Sequence, residues 1–383
     1  MVDRFEVVVI GGGPAGSVAA RSIATAGYSV ALLEKQPFPR ETLCGEFLSV
    51  EVVETIRELG LEAEFRELLP NPLTTFTLLS GRGGPLSTPL GFTAYGVKRG
   101  KFDAMLLAAA DAEGVAILQP AEVTGVERNR EGFLVRYKTG GQSSALRGSW
   151  VVGAYGKSSP LDRRLFRSFA GTRTGFTGVK FHVPAGMLRG IRKEEIVIAL
   201  GPGMYCGVGH VGDETATVCF LEQRKKGDPP SRERVWELAH QNPDFARVVT
   251  PRVLTFFLKT PVYGTGNLFF GSRDVVENGV LMVGDSAGMI APLAGDGIGM
   301  ALQQARLLGT LFAGQNPAST DRESLIEKYR RESSKLFGRR KRIALFCQRI
   351  ALSKSLRPII TPLLSFTPGL LRATILATRG REG

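Results

Sequence analysis

The segment from Phe5 to Glu34 constrains this chain more than any other. FEVVVI is a continuous apolar run of strand length, GGGPAG follows at once, SVAARSIATAG has helical character, and a second apolar run, Val30 to Leu33, ends in Glu34. Strand, glycine turn, helix, strand and acid in that order predict a βαβ unit carrying G-x-G-x-x-G on Gly11, Gly13 and Gly16. Gly11 permits the tight turn, Gly13 lets the backbone approach a pyrophosphate, and Gly16 lets helix and strand pack closely. The helix that starts at Pro14 and Ala15 offers the free N–H groups that follow the proline, which has none, and a positive dipole end to phosphates, and Glu34 is placed to accept from ribose hydroxyls. A bound dinucleotide is therefore expected to organise the fold.

Further along, 51–69 has helical spacing, TTFTLLSG and FTAYGVKR read as extended, and KFDAMLLAAADAEGVAIL reads as helix then strand. Three β-type runs between 121 and 152 suit a small meander. From 172 to 270 the pattern is β-rich (FTGVKFHV, IVIALG, MYCGVGHV, TATVCFLE and LTFFLK), with one helical insertion near RERVWELAHQ. GVLMVGDSAG is again a buried strand and turn, and GDGIGMALQQARLLGTLF a helix. The fold class expected is α/β: a Rossmann-type domain from 1–70, 93–160 and 271–320, an inserted antiparallel sheet domain from 71–92 and 161–270, and a helical region at 321–383 broken by Pro358, Pro362 and Pro368.

Composition narrows the class of protein. Forty-seven glycines in 383 residues ask for tight turns and close backbone approaches. Four cysteines at 44, 206, 219 and 347 form no C-x-x-C pair and three histidines are scattered, so no metal site and no disulfide framework are expected. The first residues lack the pattern of a signal peptide and no long uninterrupted apolar stretch occurs, which predicts a cytoplasmic protein, with peripheral membrane contact left open. Residues 321–383 hold fifteen Lys and Arg against five Asp and Glu. Such a tail suits an anionic membrane or an acidic carrier protein, with Arg339, Arg340, Lys341 and Arg342 as the candidate contacts. No basic–aromatic interleaving or nucleic-acid-binding motif occurs, so no nucleic-acid partner is expected.

Five segments in order, VVVIGGGPAGSVAA, EKQPFPRETLCGEFLS, KRGKFDAML, VVGAYGKSSPLDRRL and GVLMVGDSAGMIAPLAGDGIGMALQQARLLG, resemble the FAD-dependent oxidoreductases of the p-hydroxybenzoate hydroxylase fold, and within them the geranylgeranyl-reductase-like branch. The resemblance implies FAD as cofactor. It implies that Gly11, Gly13, Pro14, Ala15, Gly16, Glu34 and Lys35 hold the ADP part, and that Arg40 and Arg99 lie near the cofactor. Gly284 and Asp285 would meet its ribityl or ribose hydroxyls, and Pro292, Gly295, Gly297, Ile298 and Gly299 would lie at the flavin edge. In the loop RETLCGEFLS, Cys44 and Gly45 would cover the flavin, Cys44 is the candidate catalytic residue, and Glu46 is a further cofactor contact. Two departures matter. Family members that bind NADPH directly carry Asp-Gly where this chain has Tyr155-Gly156, so the electron source is NAD(P)H or a partner flavin reductase, with direct NADPH reduction disfavoured. The W-x-W-x-I-P motif of the tryptophan halogenases is absent.

These readings predict an FAD-dependent monooxygenase, hydroxylating or epoxidising a hydrophobic secondary-metabolite-type substrate. The alternatives are a reductase of C=C bonds in prenyl or polyketide chains and a non-catalytic dinucleotide-binding sensor. Phe181, Val183, Tyr205, Val208 and Phe220 are expected to line the substrate pocket, with His182 and His210 as further candidates. No side-chain acid, base or nucleophile is evident from sequence, and oxygen transfer requires none because the flavin carries the chemistry.

Overall fold

The computed structural model describes residues 2–81, 84–225, 227–228, 231–315, 321–366 and 368–380. Its first sheet is built on β1 (Arg4–Ile10), which runs parallel to β2 (Val30–Leu33) on one side and to β9 (Gln142–Gly153) on the other. The sheet is extended by β6 (Ala116–Leu118) beside β2 and by the pair β15 (Val276–Glu277) and β16 (Val280–Met282) beside β9. The expected meander is β7 (Glu122–Asn129), β8 (Gly132–Thr139) and β9. Val7, Val9, Leu32 and Val152 point to one face and are covered by α1 (Pro14–Thr25), α4 (Arg99–Ala112) and α9 (Gly297–Ala313). Val8, Ile10, Leu33 and Val151 point to the other, under the meander and α5 (Pro160–Arg164). A run that is apolar at every position is what a strand buried on both faces requires. α2 (Val50–Glu58) and α3 (Glu62–Glu67) link two strands of the second sheet and add Val52, Ile56 and Phe65 to the core of the first.

The second sheet runs in the order β14 (Tyr263–Thr265), β10 (Phe176–Pro184), β13 (Thr215–Gln223), β12 (Met204–His210), β11 (Glu195–Gly201), β4 (Asn71–Leu79), β5 (Pro85–Gly96) and β3 (Phe47–Leu48). β5 continues past the expected boundary at residue 92 to Gly96. Its outer face is covered by α6 (Ser231–Gln241), α7 (Pro243–Val248) and α8 (Pro251–Lys259). LTFFLK, expected as a strand, is thus part of α8. Pro251 at its first turn presets the helical φ, and Val253, Leu254 and Phe257 bury one helical stripe against the sheet.

The C-terminal region is helical as expected: α10 (Arg322–Leu352), started by Asp321 accepting from the Ser324 N–H, then α11 (Arg357–Phe366) and α12 (Pro368–Ala377). Position 362 lies inside α11, so that proline does not end the helix. The expected boundary at residue 320 and the last three residues lie outside the described residues. α10 packs on α9 and on the inner side of β11 and β12, and α12 packs on β5, so this region walls the space between the sheets.

Candidate active site

A cavity of about 1180 Å³ runs from the first glycine turn to the inner face of the second sheet. Small-molecule sites usually take roughly 300–1,000 Å³, so this space has room for more than one ligand. At its dinucleotide end Gly11 has φ +105°, and a Cβ there would lie 2.5 Å from the Ala154 carbonyl oxygen. Gly13 precedes α1 without a capping side chain, Pro14 is its first residue, and a Cβ on Gly13 would point at the Arg40 guanidinium, 3.6 Å away. Uncapped amides at this helix start are left to meet an anion. Glu34 is buried at the end of β2, accepting from the N–H groups of Gly12 (2.8 Å) and Gln36 (2.9 Å). Arg40 stands 3.6 Å from Glu34, and its Nε is buried with no hydrogen-bond partner. Arg99 also borders the cavity, but its Nε and Nη2 donate to Asp103 at 2.7 and 2.9 Å. Lys35 is an exposed residue at the rim.

Further in, Asp285 borders the cavity 3.9 Å from Lys157 Nζ, and its backbone carbonyl accepts from Arg273. The segment Pro292, Gly295, Gly297 and Ile298 borders it at the start of α9, with Gly295 left-handed at φ +65°. Three of the residues expected at the cofactor are not on the wall. Gly16 lets α1 sit on the Gly11 carbonyl, and Gly284 lies against Ala15 and Ala301 with φ +64°. Gly299 leaves room for Asp296, Ser49 and Glu51. Asp296, which sequence reasoning passed over, precedes α9 and is fully buried, ion-paired with Arg340. Burial and the Glu51 charge push its carboxyl up to about 7, against the pull of Arg379 and Arg340. Arg340, expected on a basic surface, therefore turns inward, and Lys341 beside it is mostly buried against Gly288.

The loop Arg40–Phe47 closes over the cavity between the two sheets. Gly45 has nothing near its missing Cβ and keeps the wall bare. Glu46 takes the left-handed conformation, φ 57°, which costs a side-chain-bearing residue about 1 kcal/mol and has to be offset by what the side chain gains. Its Oε1 accepts from Lys180 Nζ (2.8 Å) and the Arg99 N–H (2.9 Å), and its Oε2 lies 2.6 Å from His182 Nε2. Lys180 also donates to Glu41 at 2.6 Å and faces the Tyr263 ring. Burial alone would raise the Glu46 pKa; the His182 hydrogen bond and the Lys180 charge outweigh it and hold the carboxyl below its ordinary range. Burial opposes the Lys180 charge too, and Glu46 and Glu41 more than restore it. Glu41 and Glu46 border the cavity, with Lys180 and His182 behind them. Cys44 borders it also, its Sγ accepting from the Glu46 N–H at 3.3 Å.

Lys180 and Glu41 were missed from sequence, although a lysine two residues before a histidine in the apolar run FTGVKFHV is a readable signal that one strand face meets something polar. The pocket residues need correction. Phe181, Val183 and Val208 belong to the outer face, packed on α6–α8, with Phe181 stacked on Phe257 at 4.1 Å. Phe220 borders the cavity but packs with that outer cluster. Tyr205 does face the cavity, together with Ile196, Ile198, Leu200, Gly207, Cys219 and Leu221. His210 lies buried at the end of β12, away from the cavity wall. Tyr155 borders the cavity with its hydroxyl bonded to Asp162 (3.1 Å) and Arg167 (3.2 Å).

An uncapped helix start beside two constrained glycines, a buried strand-end carboxylate and a partnerless arginine nitrogen fit the phosphates and ribose of FAD. Residues 4–339 match the FAD binding domain family, to which the chain belongs, and it is an FAD-dependent oxidoreductase. It is 27% identical to digeranylgeranylglycerophospholipid reductase 1 of Methanothermobacter thermautotrophicus over 82% of this chain and 78% of that one. It is 26% identical to the 1H-pyrrole-2-carbonyl-[peptidyl-carrier protein] chlorinase of Pseudomonas fluorescens, over 79% and 74%. Among solved structures a flavin-dependent brominase has a TM-score of 0.80 at 21% identity, covering 98% of this chain and 93% of that one. A geranylgeranyl bacteriochlorophyll reductase-like protein from Thermoplasma acidophilum has a TM-score of 0.72 at 18% identity, covering 98% and 100%.

Proposed function

We propose that this enzyme reduces carbon–carbon double bonds in a long apolar chain of prenyl type. The observation that carries this reading is the cavity's far half. Beyond the dinucleotide end it is walled by Phe76, Leu78, Leu90, Phe92, Ile196, Ile198, Leu200 and Leu221 from the sheet and by Ile350, Leu371 and Ile375 from the C-terminal helices. Such a wall suits an aliphatic chain, and the first-named relative is a reductase of a geranylgeranyl lipid. Oxygenation ranks first from sequence because no acid or base is evident there. The Glu46 cluster changes that ranking, since saturating a double bond takes a proton as well as a hydride.

In this reading the α1 amides, Gly11, Gly13 and Arg40 bind the FAD phosphates, Glu34 the ribose and Asp285 the ribityl hydroxyls. The amides of Gly295, Gly297 and Ile298 meet the flavin edge. Reduced FAD, when bound, supplies the hydride. Glu46 holds negative charge on the cavity wall. His182, its side chain about one-fifth exposed, takes a proton from solvent and passes it across the 2.6 Å contact to Glu46 Oε2. Glu46 gives that proton to the double-bond carbon that does not take the hydride, and Lys180 steadies the carboxylate left behind. Cys44 keeps the loop shape through the Glu46 N–H rather than reacting. Tyr155, held by Asp162 and Arg167, fills the place of the missing aspartate, and electrons reach FAD from a partner reductase.

The test is product mass. FAD-loaded protein reduced chemically without oxygen, then mixed with a geranylgeranyl lipid, is expected to yield lipid heavier by two hydrogens per bond saturated. Turnover that appears only with oxygen, and that carries label from ¹⁸O₂, would replace this reading with oxygenation.

A further inference from the structure

The apolar cavity opens beside the C-terminal helices. Phe346 on α10 and Leu370 on α12 both border it and are both exposed, Phe346 by 64%. Leu356, just before α11, and Ile359 within it are exposed too, Ile359 by 62%. α11 packs on both α10 and α12, so the helical cap beside the cavity turns four large apolar side chains to water. Exposed apolar groups gathered in this way mark an interaction surface.

The charges on the cap have one sign. Along α10 the exposed residues Arg339, Arg342, Phe346 and Arg349 follow a three, four, three spacing that places them in a single stripe. Lys354 and Arg372 are exposed nearby, and no Asp or Glu occurs between Glu332 and Glu382. Since Arg340 turns inward and Lys341 is mostly buried, only Arg339 and Arg342 of the RRKR run belong to this positive face.

We propose that the cap docks on an anionic lipid bilayer, with Phe346, Leu356, Ile359 and Leu370 in the boundary between headgroups and acyl chains and the arginines on lipid phosphates. No described helix is long and apolar enough to cross a membrane, so the cap lies on the surface. Apolar side chains protruding beside a basic stripe, at an apolar cavity, match an anionic bilayer, where the first enter the acyl boundary and the second meet headgroup phosphates; an acidic protein partner is the other outcome of the test. The cavity then opens into the membrane, and a lipid enters it without crossing water. That entry step rests on the cavity being the substrate site, whereas the docking does not.

Cosedimentation of FAD-loaded protein with phosphatidylcholine vesicles, with and without phosphatidylglycerol, at low and high salt tests the proposal. Association is expected with the anionic vesicles and to weaken about tenfold or more at high salt. The pair Arg342→Glu and Arg349→Glu should weaken it by about the same factor, and the pair Phe346→Ser and Ile359→Ser should weaken it at low salt. Bound flavin should be unchanged in both, since all four side chains face water. Phe346→Trp should shift its emission to shorter wavelength on anionic vesicles. No salt-sensitive association, association indifferent to both pairs, or binding to an acidic carrier protein without binding to vesicles would each overturn the proposal. Docking without reduction of a geranylgeranyl lipid would leave the surface standing and remove the reaction.

Discussion

The two faces of the second sheet come from the same strands and have opposite fates. On the outer face Val179, Phe181, Val183, Val208 and Phe220 meet Val235, Phe245, Val253 and Phe257 in a closed apolar cluster. The inner face, one residue out of step, carries Gly178, Lys180, His182, Tyr205, Gly207 and Cys219; Lys180 and His182 meet a loop from the other domain, and Tyr205 donates to Gln348 of α10. Period-two alternation makes this division inevitable. What it teaches is that the bulkier face is the core and the barer face is the site, because a site needs space and polar groups aimed into it.

The largest effect should fall on the outer face. Phe181→Ala removes a fully buried ring stacked on Phe257 and is expected to lower unfolding stability by about 3–5 kcal/mol. Denaturant titration measures this, and FAD content per folded molecule should not change. A comparable loss of bound flavin would mean that the faces do not divide the labour in this way.

On the inner face Lys180→Met leaves Glu46 and Glu41 without their shared cation and should cost about 3 kcal/mol, with the Glu46 pKa rising. Glu46 also predicts the acid limb of stability. Its folded pKa lies below 4.5, so it stabilises the fold above pH 4.5, and that contribution disappears as pH falls through the lowered folded value. Glu46→Gln should flatten this limb in pH-dependent unfolding. An unchanged limb would show that other carboxyls govern it.

Gly207→Val should have the smallest effect on stability, within about 1 kcal/mol, because a Cβ there meets only the Ile198 side-chain end at 3.3 Å and the Cys219 carbonyl at 3.7 Å. Its branches would enter the cavity, so KM for an apolar chain should rise while the fold persists. A KM unchanged alongside intact folding would place the substrate elsewhere.

How far the sequence discloses this molecule follows from how local each feature is. The first βαβ unit is contiguous, and each of its glycines answers a requirement of its own turn, so strands, helix and Glu34 are all legible. The GD segment and the glycines before α9 are legible through resemblance. The Glu46 cluster is not, because Glu41, Glu46, Lys180 and His182 meet only when a loop of one domain closes on a strand of another. Alternation in FTGVKFHV reveals two faces without saying which is covered, and aromatic bulk suggested the wrong one. α8 was misread because LTFFLK has strand-like composition, while Pro251 and the Val253, Leu254, Phe257 stripe point to a helix. Arg340 was misplaced because a run of four basic residues on a helix must point in more than one direction.

A single-turnover experiment bears most directly on the account. FAD-loaded protein, reduced and kept free of oxygen, is mixed in a stopped-flow instrument with a geranylgeranyl lipid while the flavin absorbance is followed. The flavin band is expected to return at a rate that saturates with lipid and is slowed about a hundredfold or more in Glu46→Gln, in keeping with the usual contribution of a proton-transferring side chain. A flavin band that stays bleached with lipid and returns only when oxygen is admitted would contradict the account.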